Sequence, residues 1–161
     1  MFEVVTTSPA GTRAVAAAVA GRLRAGDLLV LAGDLGAGKT AFTQGLAAAL
    51  GVSERVTSPT FTLAQRYQGT ALRVHHLDVY RLSGPDEAVD LDLAELLDDE
   101  AVTVIEWGDT IRPALPADLV EVRFTFGEGD DDRTLTFTAV GTAWVERLDD
   151  LAGAVGAVAP C

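Results

Sequence analysis

The segment from Leu28 to Gly51 constrains the fold more than any other part of the chain. Leu28–Ala32 is an unbroken apolar run, the pattern of a strand covered on both faces as parallel strands are. It leads into Gly33-Asp34-Leu35-Gly36-Ala37-Gly38-Lys39-Thr40, and then into Thr40–Leu50, where Phe42, Leu46, Ala49 and Leu50 recur at helical spacing until Gly51 stops the helix. The loop satisfies G-x-x-x-x-G-K-[ST] in the context the motif requires, a buried strand before and a helix after. At average residue frequencies a chance match arises in about one such chain in a few hundred. Glycines let successive N–H groups turn inward around a phosphate, and the helix start adds its positive dipole end. Lys39 can then place its ammonium on the β and γ phosphates while the Thr40 hydroxyl joins a Mg²⁺ shell.

The rest of the chain alternates strands and helices. Phe2–Thr6 reads as a strand, Thr7-Ser8-Pro9 as a turn, and Ala14–Arg24 as a helix with Val15, Val19 and Leu23 on one face. After a loop at 55–62 around Ser58-Pro59, 61–67 alternates weakly as a strand would, and Leu72–Asp78 is a further strand. A hydroxyl at Ser83 with an acid three residues later, Pro85, and two acids in the first turn predict a helix start and a helix in the region 86–98. Val102–Glu106 is a short buried strand. Leu119–Phe126 and Thr134–Val140 form a hairpin across 127–133, and 142–158 reads as a helix weakened by Gly153 and Gly156.

With 161 residues and no linker or repeat, the expected fold is α/β: a single P-loop NTPase-like domain, its mostly parallel central sheet flanked by helices, with a late antiparallel hairpin. Residues 1–141 would form the P-loop domain and 142–161 a helical segment and tail of that same domain. No apolar run reaches the roughly 18 residues of a membrane span and no leader pattern opens the chain, so a cytoplasmic protein is expected. Cys161 is the lone cysteine, a dangling thiol rather than half of a disulfide.

Asp78 and Glu106 end buried strands at the carboxyl edge of a parallel sheet, where such folds bind ligands. Each is either an acid near a metal or a solvated strand end. Trp107 is either a core or rim aromatic or a wall against a nucleotide or partner. Thr60, after Pro59, either approaches the γ-phosphate as a switch threonine or serves as a turn hydroxyl. His75 and His76 are adjacent on a strand, point to opposite faces and cannot chelate as a pair, which assigns them to packing or surface.

The residues at 33–40, together with Val56-Thr57-Ser58-Pro59-Thr60-Phe61, His76-Leu77-Asp78-Val79-Tyr80-Arg81 and Ile105-Glu106-Trp107-Gly108-Asp109, resemble the ordered motifs of the TsaE (YjeE) family, over roughly residues 2–140. This is the small P-loop ATPase family required for threonylcarbamoyladenosine formation on tRNA. The resemblance implies ATP and Mg²⁺ as ligands and two protein partners, TsaB and TsaD, the latter making the transfer to the tRNA. It puts Lys39 and the amides of Gly36, Ala37, Gly38, Lys39, Thr40 and Ala41 on the phosphates, Thr40 and Glu106 on Mg²⁺, and Asp78 near the hydrolytic water or metal. Thr12 and Arg133 would flank the nucleotide, and Trp107 would sit beside it.

Two rival functions share the loop. A small P-loop metabolite kinase would need an arginine-rich lid, which is not evident in the sequence. A regulatory GTPase would need a guanine-reading Asn-Lys-x-Asp, yet the chain has no asparagine, and its eleven arginines accompany a single lysine, Lys39. The net charge of −12 is the wrong sign for tight, direct tRNA binding.

Overall fold

The computed structural model describes residues 1–59, 63–90, 93, 97 and 100–159. Its strands are β1 (Phe2–Thr6), β2 (Leu28–Gly33), β3 (Ala64–Tyr67), β4 (Arg73–Asp78), β5 (Ala101–Glu106), β6 (Leu119–Phe126) and β7 (Arg133–Val140). They form one mixed sheet in the order β1-β7-β6-β2-β5-β4-β3. β6, β2, β5 and β4 run parallel, and the outer pairs β1–β7, β6–β7 and β3–β4 are antiparallel. The expected parallel sheet with a late hairpin is therefore present, with antiparallel strands at both edges.

Alternation along β2 divides the core. Leu29 and Leu31 pack on one face with Val104, Val122 and Phe42, while Leu28 and Val30 pack on the other with Leu77, Ile105 and Ile111. The first face carries helices α1 (Pro9–Ala20) and α2 (Lys39–Ala49), and the second carries α3 (Pro85–Asp90). Past β7, the predicted single helix is two, α4 (Thr142–Val145) and α5 (Leu148–Gly156), whose Trp144, Leu151 and Val155 join the first face. The break is held by Arg147, whose guanidinium bonds both Asp27 carboxylate oxygens at 2.7 and 2.8 Å and the Arg22 carbonyl.

Several local details differ from the sequence expectation. α1 starts at Pro9 rather than Ala14, because the Ser8 hydroxyl accepts from Gly11 N–H and Pro9 occupies the first turn, where its missing donor is harmless. It ends at Ala20, short of Arg24. At α3, Glu87 rather than Asp86 bonds the Ser83 backbone and hydroxyl. Between β5 and β6 lies a 3-10 helix, Gly108–Ala114, that the sequence did not suggest because it contains Gly108 and Pro113. Of the helix predicted over 86–98, only the part to Asp90 lies within a described element.

Candidate functional site

The carboxyl ends of β2, β5 and β4 lie side by side, and the sheet order turns outward on both sides of β2. The β4–β5 register pairs Asp78 directly with Glu106. The glycine loop leaves β2 at this edge. Gly36 and Gly38 adopt φ of 78° and 107°, the left-handed region that favours glycine, and Gly38 caps α2. The ladder of α2 begins at Phe42 N–H to the Gly38 carbonyl, so the amides of the preceding turn project from the helix end.

Lys39 is buried to 5% exposure at the first position of α2. Its ammonium donates to the carbonyls of Gly33 at 2.6 Å and Asp34 at 2.8 Å, and lies 4.0 Å from the centre of the Trp107 ring. Burial pushes its pKa below the ordinary 10.5, a shift opposed by the carboxylates of Glu106, Asp78, Asp109 and Asp34. Next along the helix, the Thr40 hydroxyl donates to Glu106 Oε1 at 3.1 Å. Glu106 is 2% exposed and its Oε2 lies 3.1 Å from His76 Nε2. Asp78, 5% exposed, accepts from the Ser58 hydroxyl at 3.1 Å and from Tyr80 N–H at 2.9 Å.

Trp107 has φ 64° and ψ 18°, a left-handed conformation that costs a bulky residue roughly 1–2 kcal/mol. Its N–H donates to the Leu31 carbonyl, and its own carbonyl accepts from the Thr110 backbone and hydroxyl. These bonds hold the bend that lays the indole over Lys39 and against Tyr80, ring centres 4.9 Å apart. The resulting cleft, about 280 Å³, is lined among others by Leu35, Lys39, Thr40, Asp78, Glu106 and Trp107.

A smaller hollow of about 100 Å³ lies behind the loop, between Thr12, Gly36, Gly38, Ala41 and Arg133. Thr12, on α1, is buried and its hydroxyl meets that of Thr6 at 2.8 Å. Arg133 donates to the Ala37 and Gly36 carbonyls across the hollow and to those of Asp130 and Asp132 in its own turn, its guanidinium stacked on Phe126. All the sequence-selected residues thus gather around the loop except Thr60, which lies outside the described residues. The sequence assigns His76 to packing or surface; it is fully buried, and its ring meets Glu106. The signal that could have found it is its position two residues before Asp78 on a strand beside the one ending in Glu106.

Thr40 and Glu106 offer hard oxygens, the donor chemistry that suits Mg²⁺. Among the described residues no cluster of three His, Cys, Asp or Glu could hold a metal alone.

A family model described as "Threonylcarbamoyl adenosine biosynthesis protein TsaE" matches residues 6–135. The chain is 41% identical over 146 residues to the Bacillus subtilis "tRNA threonylcarbamoyladenosine biosynthesis protein TsaE", a match covering 91% of this chain and 90% of that one. To the Streptomyces coelicolor protein of the same description it is 45% identical over 128 residues, covering 76% and 86%. The crystal structure of Bacillus subtilis YdiB aligns with a TM-score of 0.80 at 36% identity, over 94% of this chain and 93% of that one.

Proposed function

Because the chain belongs to the TsaE family, whose members are described by their part in tRNA threonylcarbamoyladenosine biosynthesis, we propose that it serves that pathway as a Mg²⁺-dependent ATPase acting on a TsaB–TsaD complex. The observation that carries the reading is the Thr40 hydroxyl lying 3.1 Å from Glu106 at the helix start that also bears buried Lys39. Phosphates would enter beneath the loop amides and the Lys39 ammonium, which exchanges its two carbonyl partners for phosphate oxygens. Thr40 and Glu106 would hold the ion, which when bound neutralises charge on the transferring phosphate. Asp78, held by Ser58 and Tyr80, would accept a bond from the attacking water. Trp107 roofs the Lys39 side and excludes solvent there.

The test is nucleotide binding and phosphate release with ATP against GTP, with and without Mg²⁺, and with and without TsaB and TsaD. ATP binding with Mg²⁺-dependent release of phosphate is expected, and Lys39→Ala should lower the rate on the order of 10²–10³-fold. Preference for GTP, phosphate transfer to a small acceptor, or parental activity in the alanine variant would refute the assignment.

A further inference from the structure

We infer that His76 is a positioning residue for Glu106, fixing the carboxylate that the proposed function assigns to the metal; the inference rests on that reading. His76 is fully buried on β4, and its Nε2 lies 3.1 Å from Glu106 Oε2. An ionised carboxylate can only accept, so the ring carries its proton on Nε2 and donates it. Nδ1 is buried without a hydrogen-bond partner among the described residues.

That unmade bond separates a packing role from a polar one. Leaving a buried nitrogen unpaired is costly, and an apolar side chain of similar volume would fill the same space without that penalty. What the imidazole supplies and such a side chain does not is the Nε2–H. The two carboxylate oxygens are thereby divided. Oε2 is held by His76 on β4 and Oε1 faces the Thr40 hydroxyl on α2. Adjacent strands then set the carboxylate plane, and Oε1 is presented toward the loop. Groups that orient a metal-binding carboxylate in this way act through it and touch neither ion nor substrate.

The experiment compares the parent with His76→Leu, which removes the donor, and His76→Gln, which keeps an N–H. Mg²⁺ is titrated against fluorescent ATP-analogue binding, and analogue affinity is also measured in EDTA. The leucine variant should need about 10–100-fold more Mg²⁺ for half-saturation while its metal-free affinity stays within about two-fold, and glutamine should restore most of the loss. Parental Mg²⁺ dependence in the leucine variant, or a glutamine variant no better than leucine, overturns the inference. A parent whose analogue binding ignores Mg²⁺ instead refutes the proposed function, and the inference with it. Long-range ¹H–¹⁵N correlation of the parent's ring decides the case even where the leucine variant does not fold. A proton on Nε2 is expected, and one on Nδ1 alone overturns the assignment.

Discussion

Gly45→Ala sets helix propensity against packing, and the structure says which prevails. Gly45 lies inside α2, where alanine is intrinsically better by about 1 kcal/mol. A Cβ built there would fall 2.6 Å from Arg13 Cα, 2.6 Å from the Arg13 carbonyl oxygen and 2.9 Å from Arg13 Cβ. Relaxed carbon contacts are about 3.5–4.0 Å, so α1 and α2 must separate locally by about 1 Å. No rotamer change relieves a clash with backbone, and Val15, Ala16 and Val19 hold α1 on the core. Overpacking of this kind costs about 1–3 kcal/mol, and the upper part of that range applies to contacts this short. Subtracting the propensity gain leaves a net loss of about 1–2 kcal/mol, or about 2–8 °C in Tm for a chain of this size. Urea unfolding followed by circular dichroism should show a lower midpoint at unchanged slope. Gly153→Ala is the matched control: its Cβ meets nothing within 4 Å, so it should gain up to about 1 kcal/mol. A Gly45→Ala variant as stable as the parent, beside a stabilised control, would refute the packing argument.

Three further outcomes are expected. Glu106→Ala should weaken Mg²⁺-dependent nucleotide binding, whereas Asp78→Ala should lower turnover with binding largely retained; parental Mg²⁺ titrations and rates in both would reduce these acids to strand ends. Glu87 is held below its ordinary 4.5 by the Ser83 hydroxyl and then the Ser83 N–H, so this capping bond is present above pH 4.5 and is lost as pH falls through the lowered value. Carboxyl NMR titration should find that Ser83→Ala moves Glu87 back toward 4.5, and an unmoved titration would disprove the cause. With a charge of −12, the isolated chain should show no appreciable tRNA affinity at physiological salt in filter binding; tight, steeply salt-dependent retention would contradict this.

What the sequence made legible was local. Leu28–Thr40 carries its strand, loop and helix start in consecutive residues, and each bound lies within one residue of where the pattern places it. Ser8-Pro9 carries the cap of α1 as well, but the same pair also suits a turn. The 3-10 helix after Trp107 follows from the left-handed bend and its bonds to Leu31 and Thr110, none of which leaves a periodic trace. The His76–Glu106 contact joins residues thirty apart on adjacent strands. Only the pairing of β4 with β5 creates it, and that pairing is a property of the whole sheet.

The place of β1 in that sheet also sets an order of events during synthesis. Among the described residues its sole strand partner is β7, with Phe2 opposite Phe137 and Thr6 opposite Arg133. At about 5–20 residues per second, the ribosome leaves β1 without its partner for roughly 7–27 s. Arg133, which reaches back to the loop carbonyls, emerges at the same late stage. The glycine loop is therefore translated early and buttressed late. A nascent chain halted before β7 holds the whole phosphate-binding motif while its first strand remains an open edge, a surface that a chaperone or another unfinished chain can claim.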